Sequence, residues 1–190
     1  MKIYRNFDEL PSCHNMVATV GSFDGVHLGH RKILDYVRKI AQETGGQSLV
    51  ITFSPHPQQV LHPQEEFFTI NTLEENARLI EQSGIDALLI LPFTPAFSQL
   101  SFGQFLQLLS EKAGVKVIVM GPNHSFGHNR EGNCKSMQQI CEQNGIRTVT
   151  IPEFVLEDSR VRSSKIREHI KNKEFTKAET LLGHSYKKIK

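Results

Sequence analysis

Short apolar runs alternate with amphipathic segments of helical length over the first 150 residues of this chain. In the amphipathic segments, hydrophobic residues recur every three or four positions, which is the spacing of one helix face. Such alternation is typical of a mostly parallel sheet that is covered by helices on both faces. The sequence therefore predicts an α/β fold. The strand candidates are residues 16–20, 47–53, 86–91, 115–120 and 147–151.

Helix candidates lie between these strands, and capping residues or glycines mark most of their ends. After the last strand two short helices follow with no strand between them, which predicts a C-terminal helical segment. The longest stretch without periodicity, 54–68, is expected to be a functional loop, because long loops in compact domains usually are. The predicted helices cover 29–44, a segment that opens at the capping box of Thr72 and Glu75, a segment from Ser101 to near Gly114, 133–144, 163–172 and 174–182.

The composition fits a single globular domain. The 190 residues are 38% hydrophobic and 22% charged, and the net charge is +2, which gives no reason to expect a nucleic-acid partner. We expect residues 1–183 to form the domain. Residues 184–190, which include Lys187, Lys188 and Lys190, are expected to be a basic tail or a residual linker.

The cysteines and the hydropathy pattern predict a cytoplasmic protein without a membrane partner. No stretch resembles a secretory signal, and no apolar run approaches the length of a membrane span. Cys13, Cys134 and Cys141 lack the spacing of a metal or redox motif, and unpaired thiols fit a reducing compartment. Cys134 and Cys141 share one helix face and are expected to be buried. The sequence does not indicate an oligomeric state.

The segment GSFDGVHLGH, residues 21–30, lies where the first predicted strand turns into a helix. Open α/β sheets bind ligands at such turns, and the free N–H groups of a helix start favour anions. His27 and His30 are three residues apart, so both can face one ligand. Histidines in this position can donate hydrogen bonds to phosphate and stabilise charge that grows in a transition state. Three glycines permit a tight turn and a close backbone approach: Gly21, Gly25 and Gly29.

Other interpretations of this segment stay open. One alternative to a phosphate site is a glycine-rich turn with two incidental histidines. Another is a metal site that His56 or His62 would complete, although no carboxylate or cysteine is placed to help. The sequence lacks the GxxxxGK[ST] motif of P-loop kinases. It also lacks a GxGxxG motif after the first strand, which disfavours a dinucleotide-dependent dehydrogenase.

Two further elements follow predicted strand ends. FSPHP, residues 53–57, has prolines that stiffen the turn, and Phe53 offers a flat apolar wall for an aromatic ligand. GPNHSFG, residues 121–127, contains Asn123, which can donate and accept hydrogen bonds at a ligand edge. Arg130, further along that loop, can pair with phosphate. Taken alone, each element is also compatible with an ordinary turn.

The fourth element is RSSKIR, residues 162–167. Ser163 or Ser164 is expected to cap a helix, whose first N–H groups would then face an anion. Lys165 and Arg167 add positive charge at the same end, where cations disfavour the helix unless an anion binds. The alternative is a capped surface helix with solvated charges.

Together the four elements resemble the adenylyltransferase domain of bacterial bifunctional riboflavin kinase/FAD synthetases. The pattern of that family reads GxFDGVHxGH, FxPHP, a glycine-rich loop with Asn or Asp before FxFG, and SSTxIR, and the counterparts occur here in this order. The closing LLGHSY, residues 181–186, resembles the junction with the kinase domain of the family. The resemblance implies a Rossmann-like nucleotidylyltransferase fold. It also implies transfer of AMP from ATP to FMN, which gives FAD and pyrophosphate, with Mg²⁺ accompanying ATP.

The resemblance also implies roles for the matching residues. Because the phosphate of FMN is the nucleophile, the reaction needs positioning and charge neutralisation rather than a covalent enzyme nucleophile. The implied catalytic residues are His27, His30, Asn123 and Arg167. The implied ATP-binding residues are Gly21, Phe23, Asp24, Gly25, His27, Gly29, His30, Arg162, Ser163, Ser164 and Arg167. The implied flavin-binding residues are Phe53, Pro55, His56, Pro57, Asn123 and Phe126, and no residue is assigned to a metal.

The chain departs from the family pattern in three places. Arg162 and Ser164 replace the first serine and the threonine of SST, and His124 stands where an aromatic residue usually follows the Asn or Asp. Nothing after Tyr186 matches a kinase domain, so riboflavin phosphorylation is not predicted, and the chain is expected to be either a cut piece or a single-activity enzyme. Two rival functions stay open: another nucleotidylyltransferase, acting on a pantetheine or alcohol phosphate, and a non-catalytic flavin- or nucleotide-binding module.

Overall fold

A computed structural model describes residues 1–11, 15–121, 134–156 and 159–187, without the side chains of 134–137 and Ser159. Within these residues, six strands form one sheet in which every neighbouring pair is parallel. The α/β prediction is thus confirmed. The strands are β1 Lys2–Tyr4, β2 Met16–Val20, β3 Gln47–Ser54, β4 Ala87–Pro92, β5 Val115–Met120 and β6 Arg147–Thr150.

The order of the strands creates a crevice at one edge of the sheet. The order is β1-β4-β3-β2-β5-β6, so the chain runs outward from β2 through β3 and β4 and then returns to the other side of β2. The carboxyl ends of strands that adjoin such a reversal are where open α/β sheets bind ligands. Gly21 and Gly121 directly follow β2 and β5, and they therefore mark this position.

Eight α-helices connect and cover the strands within the described residues. Most were predicted within one or two residues of their observed bounds. The short elements β1, α2 and α4 were not predicted, because three to five residues are too few to show a period. A two-stranded hairpin, β7 Val155–Leu156 with β8 Ser159–Arg160, was also missed. The helices are α1 Leu28–Glu43, α2 Pro57–Leu61, α3 Leu73–Gln82, α4 Pro95–Ser98, α5 Phe102–Ala113, α6 Cys134–Gln143, α7 Ser163–Lys171 and α8 Phe175–Leu182.

The core lies on both faces of the sheet. On one face Leu34 and Val37 of α1 are fully buried in a cluster with Val17 of β2. On the other face Leu106 of α5 is buried in a cluster with Ala18 of β2. Neighbouring residues of β2 thus enter opposite clusters, as the two-residue period of a strand requires. Because each fully buried Leu or Val side chain stabilises the fold by about 1.5–3 kcal/mol, α1 is held firmly at the end of β2.

The C-terminal helices α7 and α8 pack in a third, smaller cluster. Ile166 of α7 and Leu182 of α8 are buried there around Ile70, which precedes α3. The predicted C-terminal helical segment is confirmed, and this cluster places it beside the turn between β2 and α1. Cys141 is buried as expected, whereas Cys13 and the side chain of Cys134 lie outside the described residues. None of the helices described here combines the length and apolar character that crossing a membrane requires.

Candidate active site

A cavity of about 890 Å³ lies at the crevice beyond β2 and β5. A volume of this size is within the range of pockets that bind small molecules and cofactors. Residues from the first, second and fourth sequence elements line it, together with Gly121 at the start of the third. The lining residues from these elements are Gly21, Ser22, His27, Gly29, His30, Phe53, His56, Pro57, Gly121, Arg162 and Ser163.

Several residues that the sequence predicts to bind ATP or flavin, or to take part in catalysis, do not line this cavity. They are Phe23, Asp24, Gly25, Pro55, Ser164 and Arg167. Phe23, Asp24 and Gly25 are buried behind the cavity wall. Asn123 and Phe126 lie outside the described residues, as do His124 and Arg130. The roles of all these residues stay predictions.

His27 is the residue that caps the start of α1. Its Nδ1 accepts a hydrogen bond from the backbone N–H of His30 at 3.2 Å. Burial lowers the pKa of His27 to about 3, so the ring is neutral near pH 7, and its proton is carried by Nε2 because Nδ1 is an acceptor. A side chain at position 29 would place Cβ 3.2 Å from the His27 ring. Gly29 therefore leaves the space that this ring occupies.

His30 stacks on His27 within the cavity wall. The two ring centroids are 3.6 Å apart and the ring planes differ by 13°. The His30 ring also contacts Phe23, with a centroid distance of 4.9 Å. Both histidines line the same cavity, as their three-residue spacing predicted.

His56 repeats the geometry of His27 at a second helix. It caps α2, its Nδ1 accepts a hydrogen bond from Gln58 N–H at 3.1 Å, and Gln59 completes a capping box. Burial lowers the pKa of His56 to about 4. This ring is therefore also neutral near pH 7 with its proton on Nε2. The sequence indicated His56 but not its capping role, since the five-residue α2 was not predicted.

An aromatic cluster forms the end of the cavity near FSPHP. Phe53 contacts Phe93 and Phe97 at centroid distances of 5.4 and 5.6 Å, and Phe93 contacts Phe97 at 5.8 Å. These three rings line the cavity, and such spacings are typical of favourable aromatic pairs. Sequence reasoning found Phe53 but missed Phe93 and Phe97. Phe93 lies in the connection between β4 and α4 and Phe97 lies in the one-turn helix α4, and no motif or period marks either residue.

Behind the histidines, Asp24 and Arg167 form a buried ion pair. Arg167 Nη1 lies 2.6 Å from Asp24 Oδ2, and Asp24 Oδ1 accepts backbone N–H bonds from Ile70 at 2.8 Å and Asn71 at 3.4 Å. Burial raises the pKa of Asp24, while Arg167 and these N–H groups act in the opposite direction. Burial likewise lowers the pKa of Arg167, and Asp24 opposes that shift. The first and fourth sequence elements are thus joined directly.

The expectation that Ser163 or Ser164 caps α7 is wrong. The capping position is Arg162, whose side chain makes no capping hydrogen bond. Ser163 is the first residue of α7, and its hydroxyl instead donates to the backbone carbonyl of Asp24 at 3.1 Å. The serine fixes α7 to the turn after β2, and this long-range contact replaces the local one that the sequence pattern favoured.

Arg167 also connects this ion pair with the FSPHP element. Its guanidinium lies 4.7 Å from the centroid of Phe67, and Phe67 contacts His56 with a centroid distance of 4.5 Å. A guanidinium over an aromatic face is an attractive cation–π contact. These contacts bring together segments from the beginning, middle and end of the chain.

Charged side chains also line the cavity. Arg162 is 3.1 Å from Glu153, which also binds Arg160 at 3.0 Å. Lys32 of α1 lies over the ring of Phe154, 5.7 Å from its centroid. Arg162, Glu153 and Lys32 all line the cavity. Across the described residues, no group of three or more His, Cys, Asp or Glu side chains is arranged to hold a metal ion.

The family profile and the similar proteins indicate the same family. The FAD synthetase profile matches residues 10–165. The bifunctional riboflavin kinase/FMN adenylyltransferase of Bacillus subtilis is 35% identical over 90% of this chain and 54% of its own length. The protein with the same description from Buchnera aphidicola subsp. Schizaphis graminum is 29% identical over 98% of this chain and 61% of its own. The chain thus spans about three fifths of the length of the first curated relatives it matches.

Solved structures show the same fold. A Streptococcus pneumoniae structure described as a macrolide-efflux protein superposes with a TM-score of 0.83 and 23% identity, over 96% of this chain and 61% of that one. Thermotoga maritima TmcAL, solved with alpha-thio ATP, gives a TM-score of 0.59 and 14% identity over 87% of this chain and 52% of that one. At these identities the likeness establishes the fold alone.

Proposed function

The chain belongs to the FAD synthetase family, and from that premise we propose that it is an FMN adenylyltransferase. The proposed reaction transfers AMP from ATP to FMN and gives FAD and pyrophosphate. The observation that carries the proposal is the single cavity that His27 and His30 share with the aromatic cluster around Phe53. One end offers hydrogen-bond donors, and the other offers flat apolar rings, which matches a substrate pair of phosphates and a flavin.

In the proposed reaction, a phosphate oxygen of FMN attacks the α-phosphorus of ATP. The bond from that phosphorus to the bridging oxygen of the β-phosphate breaks, and pyrophosphate leaves with the electron pair. Negative charge grows on the oxygens around the α-phosphorus and on the leaving group. An enzyme accelerates such a transfer mainly by positioning and by electrostatic stabilisation, so the site needs no covalent nucleophile.

We assign the phosphate end of the cavity to the histidine pair. The neutral His27 ring has its proton on Nε2, so Nε2 can donate a hydrogen bond to a phosphate oxygen and does not act as an acceptor. The bond from His30 N–H to His27 Nδ1 fixes the ring orientation. His30, stacked on His27 and lining the cavity, is proposed to stabilise the charge that grows during transfer. Arg162 and Ser163, at the same cavity, are proposed to bind the triphosphate.

We assign the aromatic end to the isoalloxazine ring of FMN. Phe53, Phe93 and Phe97 provide ring faces and edges at the spacing of stacked or edge-on aromatic pairs. His56 borders this end with a neutral ring whose proton is on Nε2, which suits a carbonyl or ring nitrogen as partner. Pro57 begins α2 and lines the same cavity.

We propose that Mg²⁺ enters the site bound to the phosphates of ATP. Mg²⁺ keeps several waters and is usually held by substrate phosphates with one or two carboxylates. When bound, it neutralises phosphate charge. Glu153 lines the cavity but is engaged with Arg160 and Arg162, so we assign it no metal role. We also propose a cytoplasmic location, since Cys141 is a buried, unpaired thiol.

The direct test is to incubate the purified protein with FMN, ATP and Mg²⁺ and to separate flavins by chromatography. We expect FAD and pyrophosphate to form in equal amounts. Binding of FMN without FAD formation would contradict the proposal and favour a flavin-binding module. A substrate panel with pantetheine phosphate and alcohol phosphates, all with ATP, distinguishes other nucleotidylyltransferases, which would release pyrophosphate without FMN.

A further inference from the structure

The turn between β2 and α1 has an unusual backbone. Phe23, Gly25 and Val26 have φ angles of +47°, +82° and +37°. A left-handed conformation is a genuine outlier for a β-branched residue such as Val26. Backbone of this kind costs free energy and persists only where surrounding structure holds it. His27 directly follows this turn, so whatever holds the turn also sets the position of the His27 ring.

Gly25 is held on both sides by side chains that are distant in sequence. Its N–H donates to Oδ1 of Asn76 in α3 at 3.1 Å. Its carbonyl oxygen lies 2.8 Å from Nε2 of His184, which is 159 residues further along the chain. A carbonyl can only accept, so we assign Nε2 as the donor of this bond; Nδ1 lies 3.0 Å from a second carbonyl oxygen, that of Ser185. Both hydrogen-bonding groups of the Gly25 backbone are therefore engaged by remote partners.

The segment that leaves α8 packs closely on the same turn. A side chain at position 25 would place Cβ 3.0 Å from Cδ2 of Leu182 and 3.1 Å from Ile70. Gly183 ends α8 with a φ of +70°, and a Cβ there would collide with Leu28, the first residue of α1. The turn at Gly183 thus places the His184 ring beside the Gly25 carbonyl. Further along, Tyr186 N–H donates to Glu179 at 2.8 Å and holds the segment against α8.

We infer that His184 is a positioning residue for adenylyl transfer, which holds the strained turn before His27 through its hydrogen bond to the Gly25 carbonyl. The inference rests on the proposed function. His184 does not line the cavity and lies beyond the matched family region, residues 10–165. Its effect on catalysis therefore passes through the orientation of His27, and a misplacement of about 1 Å can cost about a hundredfold in rate.

A positioning role of His184 can be distinguished from a general effect on stability, because its hydrogen-bond donor and its ring volume can be changed independently. His184→Phe keeps an aromatic ring and removes the donor. His184→Gln keeps an N–H donor on a side chain of similar reach. Ser185→Ala is the matched control, since the neighbouring side chain is exposed and only its backbone carbonyl contacts His184.

The experiment measures kcat, the KM for ATP and for FMN, and amide hydrogen exchange at Gly25 and Val26. For His184→Phe we expect kcat to fall about tenfold to a hundredfold, the KM for FMN to stay within about twofold because the aromatic end is untouched, and the two amides to exchange at least about tenfold faster. His184→Gln should recover most of the rate and the protection. Ser185→Ala should behave like the wild type.

The outcomes decide between the two proposals. A His184→Phe protein with unchanged kcat and unchanged exchange would overturn the positioning role, while FAD formation by the wild type would leave the proposed function intact. If the wild type makes no FAD, the proposed function fails. In that case the exchange rates of the Gly25 and Val26 amides, compared between the wild type and His184→Phe, alone test whether His184 holds the turn. If His184→Phe does not fold, nitrogen-15 NMR of the wild type decides. We expect a protected proton on His184 Nε2, and an unprotonated Nε2 would overturn the inference.

Discussion

Arg167 and Asp24 are 143 residues apart in the chain, yet their side chains meet at 2.6 Å in a buried ion pair. The carboxylate is 1% exposed and the guanidinium side chain 18%. Charge-assisted bonds of this kind are strong, and the geometry also joins α7 to the turn before His27. The arginine guanidinium stays protonated in proteins, so the half-buried Arg167 cation is stabilised by Asp24 as its counter-charge.

Asp24→Asn is expected to destabilise the protein by about 3–5 kcal/mol, because removal of one partner leaves a buried charge unpaired. Chemical denaturation of the purified variant measures this loss. The double variant with Arg167→Met removes the stranded charge as well and should be less destabilised than Asp24→Asn alone. Two independent, additive effects would contradict the coupling of these residues.

The sequence predicted most of the fold because its signals are local and periodic. The strands 16–20 and 115–120 were predicted with their observed bounds, since continuous apolar runs between glycine and polar segments read clearly as buried strands. The short α2 and α4 were missed because a helix of one turn has no period. The hairpin of β7 and β8 has two residues in each strand, which is also too short to detect.

The site was only partly predictable, for a different physical reason. His27, His30, Phe53 and His56 stand in motifs at strand ends, and the structure brings all four to one cavity. The contacts that hold the first motif from behind come from distant segments, and the sequence did not indicate which side chains make them: Arg167 and Ser163 were assigned to ATP but contact Asp24. His184, for example, reaches the turn only because α7 and α8 pack on Ile70.

His30→Ala is expected to lower kcat for FAD formation by about a hundredfold, since loss of one donor to developing charge typically costs about 3 kcal/mol. His30 is chosen because it lines the cavity while His27 holds the helix cap. Steady-state kinetics with FMN and ATP measure the effect. Arg31→Ala, one position further along α1 and outside the cavity lining, is the control and should retain the wild-type rate. An unchanged kcat in His30→Ala would remove His30 from the mechanism.

The stability of the protein is expected to fall as the pH drops from about 7 towards 4. The pKa values of His27 and His56 are lowered from 6.5 to about 3 and about 4. Below pH 6.5 the unfolded chain therefore binds protons on these two rings while the folded chain does not, and the free energy of unfolding decreases. Well above pH 6.5 both rings are neutral in both states, so they contribute no pH dependence there.

Urea denaturation at several pH values across this window measures the dependence. In His27→Gln the most buried of these rings is gone, and the glutamine oxygen can still accept a bond at the helix start. This variant should lose less stability between neutral and acidic pH than the wild type. An identical pH dependence in the two proteins would show that His27 is not the group whose burial opposes protonation.

Phe93→Ala is expected to raise the KM for FMN about tenfold, because truncation of an aromatic ring removes a contact surface worth about 1–3 kcal/mol. The KM for ATP should stay within about twofold, since the proposed phosphate site lies at the histidine end of the cavity. Phe175→Ala is the matched control, because Phe175 is exposed and stacks on Tyr186 away from the cavity. Kinetics with each substrate varied in turn separate the two constants. An equal rise of both would mean that Phe93 supports the whole cavity and not the flavin end, because a lost ring contact to one substrate raises only the KM of that substrate.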